Sequence, residues 1–178
     1  MKKVVSLAAT LFLASSHSAF AYFDENDASR LVQDFSETVA CQVESVFEGN
    51  PLQYKAIQVI EGMDSADGYG ATYVVHWIGD YGCSGGNATS VPQFTVVSRS
   101  GFASADPVVR TDQEASRDLT INVVTAFYAG DAEGVFHVEG LGYGPDDLQG
   151  NPETYTHYKV EVDDIGYMKI VDSYQEGR

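Results

Sequence analysis

From residue 54 onward the chain alternates apolar and polar residues with a period of two, and this pattern restricts its fold more than any other feature. The alternating segments are rich in β-branched and aromatic residues, and stretches rich in Gly, Asp, Asn and Ser separate them. The predicted strands are 54–60, 71–78, 94–97, 119–128, 135–141, 155–162 and 167–171. In 119–128, one buried face is predicted from Leu119, Ile121, Val123, Thr125 and Phe127.

Only the segment before these strands has the period of a helix. Apolar residues recur every four positions from Leu31 to Val43, which predicts a helix over 28–47 with Asn26 or Asp27 as its cap. No comparable helical pattern occurs between the strands, which disfavours a parallel βαβ arrangement. We therefore predict an α+β fold in which one N-terminal helix packs on a curled, mainly antiparallel β-sheet of six or seven strands.

The first 21 residues have the three parts of a cleavable signal peptide. Lys2 and Lys3 give a positive start, an apolar stretch follows, and Ala19-Phe20-Ala21 supplies the small residues that a signal peptidase requires. The apolar stretch is shorter than the roughly 20 residues that span a bilayer, and no later stretch reaches that length, so no membrane insertion is expected. The sequence predicts a signal peptide over 1–21 and one mature domain over 22–178, in the periplasm, with full secretion as the alternative.

The two cysteines, Cys41 and Cys83, are interpreted in the light of this export signal. In an oxidising compartment, a single pair is most simply one disulfide. It would close a loop of about 43 residues and contribute roughly 4 kcal/mol in the chain-entropy model. A nucleophilic Cys41 and a metal-binding pair are the alternatives, and no histidine at ligand spacing supports either.

The chain is strongly acidic, with 10 Lys+Arg against 26 Asp+Glu and a formal charge of −16. Removal of the leader takes away two lysines, which leaves 8 basic and 26 acidic residues and a charge of −18. This charge repels nucleic acid and anionic lipid, and it attracts a basic partner. Disorder is disfavoured, because 44% of the residues are hydrophobic and 12% are aromatic.

Two segments are candidate binding sites. The first, 76–87, is rich in glycine and holds the candidates Trp77, Asp80 and Tyr81, which would form a ligand-facing rim or simply a strand that ends in a disulfide-linked turn. The second, 140–153, groups Tyr143, Asp146 and Asp147 in an acidic loop. Oxygen ligands suit calcium, but the EF-hand spacing is absent and a solvated loop is the simpler interpretation. No metal site or cofactor is predicted.

A catalytic site is not indicated by any motif. Three histidines follow the leader, namely His76, His137 and His157, and none has metalloprotease spacing. A Gly-x-Ser-x-Gly nucleophile elbow is also absent. A hydrolase built from His76, His137 and nearby carboxylates remains a weak third possibility.

Two classes of function follow from these observations. The first is an exported, acidic, non-catalytic binding protein for a basic protein partner, for example an inhibitor or immunity-type protein that neutralises a lysozyme-like hydrolase. Its 11 tyrosines would suit recognition of a partner surface. The alternative is a carrier that holds a small apolar molecule or lipid in a cavity of the β-sheet.

Overall fold

The computed structural model describes residues 23–44, 50–61, 70–83, 90–99, 106–110, 114–144, 147 and 151–176. The predicted signal peptide lies outside these residues. The elements in chain order are α1 (Glu25–Val39), β1 (Ala40–Val43), β2 (Lys55–Ile60), β3 (Ala71–Tyr81), β4 (Val91–Arg99), β5 (Val108–Val109), α2 (Glu114–Asp118), β6 (Val123–Ala129), β7 (Val135–Gly142), β8 (Thr154–Val162) and β9 (Met168–Glu176). Neither helix has the length and hydropathy of a membrane span in this part of the chain.

Helix α1 begins one turn earlier than predicted and ends well before residue 47. Its N-cap is Asp24, whose carboxylate accepts hydrogen bonds from the backbone of Asn26 and Asp27, and the Asp27 side chain completes a capping box. The helix ends at Val39, because the next four residues form β1 and pair with β3. The prediction that residues 40–43 are helical is therefore wrong.

The strands form two antiparallel sheets. Sheet A has the order β1-β3-β4-β5, with β2 also paired to β3, and sheet B has the order β6-β7-β8-β9. The predicted α+β class, with one N-terminal helix and a curled antiparallel sheet, is confirmed. The strand number was underestimated, since the described residues contain nine strands. Two of them, β1 and β5, have only four and two residues, too few for alternation to be visible in the sequence.

These elements pack as three layers. Helix α1 covers one face of sheet A, where Ala28 and Val32 pack against Tyr73, Val75 and Trp77. The other face of sheet A packs against the inner face of sheet B, through a second core that includes Val74, Phe94, Val96, Phe127, Phe136, Val138, Tyr158 and Val160. The outer face of sheet B, opposite this core, points away from both other layers.

The burial of the side chains in and before β6 differs from the prediction. Leu119, Ile121 and Phe127 are buried as expected, but Val123 is 48% exposed and Thr125 is also exposed. The chain bends before β6 begins, and the register with β7 shifts between Val124 and Ala126. A bulge inserts one extra residue, so the apolar positions on either side of it do not keep one alternation.

The predicted Cys41–Cys83 disulfide is confirmed. It joins β1 to the residue that follows the turn at the end of β3, with the two Cα atoms 5.0 Å apart. The glycine-rich sequence here is partly explained by Gly79. A Cβ at this position would lie 2.6 Å from the Trp77 ring and 2.9 Å from the carbonyl oxygen of Gln42, so only glycine allows β1 to approach β3.

Candidate functional site

The residues predicted in segment 76–87 lie in and beside the core between α1 and sheet A. Trp77 is 1% exposed, and its indole nitrogen donates a hydrogen bond of 2.9 Å to the hydroxyl of Thr95. Asp80 is also buried. Tyr81 is half-buried and contacts the rings of Phe35 and Trp77. The Trp77 ring therefore packs inside the protein and presents no flat face to solvent.

In the acidic loop, Asp147 organises the backbone. Its Oδ2 atom accepts hydrogen bonds from the amides of Gly144, Glu153 and Thr154 at 2.8, 3.0 and 3.0 Å. These bonds lower the pKa of Asp147 to about 2, with the Gly144 amide as the largest cause. Tyr143 is 46% exposed beside it, and Asp146 lies outside the described residues. The loop follows β7 of sheet B, so it is not brought together with Trp77 or Asp80.

A row of stacked rings crosses the outer face of sheet B. Each strand contributes one ring, and we call the four the ring ladder: Tyr128, His137, His157 and Tyr174. The centroids of successive rings are 5.2, 5.1 and 4.8 Å apart, with interplanar angles of 19°, 29° and 24°. Tyr128 and Tyr174, at the two ends, are 41% and 47% exposed.

The alternation of the strands places these rings on the outer face. Phe136 and Val138 on β7 are buried, so His137 and Glu139 face outward. The register then pairs Tyr128 with His137, and His157 with both Glu139 and Tyr174. The ladder is therefore a consequence of strand register rather than of any local motif.

Glu139 lies among these rings and joins two tyrosines. Its Oε1 accepts a hydrogen bond of 2.6 Å from the Tyr128 hydroxyl, and its Oε2 accepts one of 2.7 Å from the Tyr155 hydroxyl. The Tyr128 bond, followed by the Tyr155 bond, lowers the pKa of Glu139. The same contacts raise the pKa of Tyr128 to about 12 and also raise the pKa of Tyr155. Glu139 is therefore a fixed negative charge at neutral pH.

The two histidines of the ladder contact each other directly. Nδ1 of His137 and Nε2 of His157 are 3.0 Å apart, so one nitrogen donates a proton and the other accepts it. Partial burial is the largest cause of a lowered pKa at His137, followed by the charges of His157 and Lys159. His137 is therefore neutral at neutral pH.

The rest of the outer face is mainly acidic. The register with β8 places Asp172 opposite Lys159, Glu176 opposite Tyr155, and Lys169 opposite Glu161. The outer face thus has four carboxylates, on Glu139, Glu161, Asp172 and Glu176, and two lysines.

Beside it lies an open depression of about 370 Å³, which shares Glu161 with the outer face. Its other lining residues are Ile60, Glu133, Gly134, Val162, Asp163 and Asp164. No group of three or more potential metal ligands occurs within the described part of the chain.

The histidines proposed for a hydrolase are not brought together. His76 is buried between the two sheets, where its Nδ1 is 2.8 Å from the carbonyl oxygen of Leu52 and its ring contacts Phe94 and Phe127. His137 lies on the outer face of sheet B, so the layer formed by that sheet separates them. Burial lowers the pKa of His76 to about 4.

Tyr128, Glu139, Tyr155 and Tyr174 are not among the site residues predicted from the sequence, and His137 and His157 were predicted only as members of a possible hydrolase site or of no site. The strand pattern did contain a signal for this surface. Its aromatic residues occupy strand positions that the alternation otherwise gives to polar residues. Comparison with known proteins adds no candidate function: no family model matches the chain, and neither a curated protein nor a solved structure matches it.

Proposed function

We propose that this chain is an exported, non-catalytic binding protein that holds a basic protein partner on the outer face of sheet B. The observation that supports this most is the ring ladder. Rings on a sheet face that no described element covers supply a rigid contact area with polar tips, which is the chemistry of protein recognition surfaces. Tyr128 and Tyr174 at its two ends are also among the most exposed aromatic side chains described.

The charge of the chain supports a basic partner. The whole chain has a formal charge of −16, and the outer face itself has more carboxylates than lysines. Glu139 provides a negative charge among the rings, where a Lys or Arg of the partner would also contact aromatic faces. The acidic depression beside Glu161 extends the same surface.

Export supports a partner outside the cytoplasm. The N-terminal pattern of a signal peptide and the Cys41–Cys83 disulfide both fit an oxidising compartment, for which we propose the periplasm. A concrete partner would be a cationic cell-wall hydrolase, which the protein would neutralise as an inhibitor or immunity-type protein.

A carrier function receives less support. The space between the two sheets is filled by the rings of Phe94, Phe127 and Phe136, whose centroids are 5.5 to 6.2 Å apart. A carrier needs a preformed apolar cavity. We therefore prefer the outer face to the interior as the binding site.

Biolayer interferometry with lysozyme as a cationic probe tests the proposal. The chain is expressed with its N-terminal segment, and the exported protein is measured at ionic strengths of about 0.05 M and about 0.3 M. We expect binding that weakens as salt rises. The double substitution Tyr128→Ala/Tyr174→Ala should raise the Kd roughly tenfold or more, because it removes exposed aromatic contact area.

Tyr167→Ala is the matched control, because Tyr167 is 50% exposed but lies in the β8–β9 turn. None of these substitutions changes the net charge, so general attraction between opposite charges is the same for every variant. An equal Kd for the double variant and the control would overturn the proposal, as would saturable binding of a fatty acid with no binding of lysozyme.

A further inference from the structure

The His137–His157 pair lies in the middle of the ring ladder, between the two exposed tyrosines. Both imidazoles are half-buried as whole side chains, and Nδ1 of His157 is a buried nitrogen without a hydrogen-bond partner among the described residues. Their facing nitrogens are only 3.0 Å apart, so there is room for one hydrogen between them. This distance limits the number of protons that the pair can hold unless the rings move apart. A titratable pair is thus built into the surface proposed to bind the partner.

We propose that protonation of the His137–His157 pair releases the basic partner from the outer face of sheet B in mild acid. This inference depends on the proposed function and adds its regulation. The protein then binds its partner at neutral pH and releases it where the surroundings are acidic.

The proton count explains the release. In the neutral pair each ring has one N–H, and one of these hydrogens lies between His137 Nδ1 and His157 Nε2. A first added proton gives the pair a charge of +1 and leaves that hydrogen bond intact. A second would place two N–H groups against each other, so the rings must separate. The contact therefore couples the two proton additions, because the second breaks the hydrogen bond that the first leaves intact.

Each step reduces the attraction for a cation. At neutral pH Glu139 supplies one negative charge beside the ladder and His137 supplies none, because the pKa of each group is lowered. The first proton cancels this charge, and the second reverses it and disturbs the stacking. A partner cation held beside the rings then faces a like charge.

The other polar groups around the pair do not remove this effect. They are Tyr128 on β6, Asp131 in the β6–β7 turn, Glu139 on β7, Tyr155 and Lys159 on β8, and Asp172 and Tyr174 on β9. Asp131 and Glu139 raise the pKa of His137, whereas burial, His157 and Lys159 lower it, and the lowering prevails. The charge on His137 therefore appears below neutral pH.

A short oligo-arginine peptide is the probe that tests this inference. Its charge does not change in this range, because Arg stays protonated. Calorimetric titrations of the full exported protein are compared at pH about 7.5 and about 5.5, a range in which imidazole is the side chain that ordinarily titrates. We expect the wild-type Kd to rise roughly tenfold on acidification, as an order of magnitude for one added charge nearby.

His137→Gln/His157→Gln is the decisive variant, because Gln can hydrogen-bond but cannot gain a charge. Its Kd should change by less than about threefold over the same range. In the wild type, the imidazole NMR signal of His137 should titrate below neutral pH. Near-UV circular dichroism at both pH values shows that the proteins stay folded.

The outcomes separate the two proposals. Absence of peptide binding at neutral pH would overturn both of them. Binding that is equal at both pH values would overturn the release mechanism alone, as would a double variant that loses as much affinity as the wild type.

Discussion

The hydroxyl of Tyr155 donates a hydrogen bond of 2.7 Å to Oε2 of Glu139, from β8 to the neighbouring strand β7. Tyr128 donates to the other oxygen from β6, so one carboxylate connects three adjacent strands. Glu139 thereby organises the face that we propose as the binding surface, and its removal has a direct spectroscopic consequence.

Glu139→Gln should let both tyrosines ionise more easily. The charged carboxylate raises the pKa of Tyr128 to about 12, and without it this pKa should fall toward the ordinary value of 10.0. Ultraviolet absorption of tyrosinate during alkaline titration measures the change. Asp34→Asn on α1 alters the net charge equally on the opposite layer, and it should leave the titration curve as in the wild type. A curve unchanged by Glu139→Gln would contradict the hydrogen bonds.

Acid should destabilise the protein through His76. Because burial lowers its pKa from 6.5 to about 4 in the folded state, the unfolded chain binds the proton more tightly. The stability contributed by neutral His76 is therefore fully present above pH 6.5, and it is lost as the pH falls toward 4. The loss at pH 4 should be about 3 kcal/mol, since one pKa unit corresponds to about 1.4 kcal/mol.

Urea unfolding of the wild type and His76→Phe at a series of pH values measures this loss. The variant keeps an aromatic ring beside Phe94 and Phe127 but gives up the bond to Leu52. Its stability should fall less between pH about 6.5 and about 4 than that of the wild type. Parallel curves for the two proteins would show that His76 does not titrate in this way.

Loss of the disulfide should destabilise the domain without changing its fold. The bond closes a loop between residues 42 positions apart, for which the chain-entropy model gives about 4 kcal/mol. Cys41→Ser/Cys83→Ser should lower the free energy of unfolding by about that amount, measured in urea. Reduction of the wild type with a thiol reagent provides the comparison, and it should give the same loss. A loss below about 1 kcal/mol would mean that β1 is held by strand pairing alone.

Asp147→Asn should loosen the loop after β7. One oxygen of the carboxylate, Oδ2, accepts three backbone hydrogen bonds, and an amide oxygen in its place lacks the negative charge that strengthens them. Amide hydrogen exchange at Gly144, Glu153 and Thr154 should become faster, whereas Asp164→Asn should leave exchange there unchanged. In the wild type, because the pKa is lowered from 3.8 to about 2, this contribution is present above pH 3.8 and is lost as the pH falls toward 2. Unchanged exchange in Asp147→Asn would show that the loop does not depend on this carboxylate.

Much of the fold was predictable from local pattern. Each of the seven predicted strands overlaps an observed one. Period-two alternation of burial is clear in β7 and β8, which bury one face against sheet A. Strands β3 and β4 are buried on both faces, and their β-branched and aromatic residues predicted them instead. The missed strand β1 had a helical apolar pattern, and only its pairing with β3 decides against the helix. In β6, the bulge near Thr125 depends on the register with β7, which no residue of β6 reveals alone.

The candidate surface was less predictable than the fold. Trp77 stands out in the sequence because it is the single tryptophan, yet it is buried in the core beside α1. Tyr128 and Glu139 do not stand out, and they become neighbours only because β6 and β7 pair in a particular register. A side chain's partners across a sheet are set by strands that are distant in sequence.

The sequence by itself determined the strand alternation, the acidic charge and the pairing of the two cysteines, because each depends on composition or on which residues are available. Tertiary structure decided that the strands divide into two packed sheets and that α1 covers only one of them. It also decided that His137 and His157 lie within hydrogen-bonding distance on the outer face of sheet B. The physical reason is that layer packing and register are properties of strand pairs, whereas alternation is a property of each strand alone.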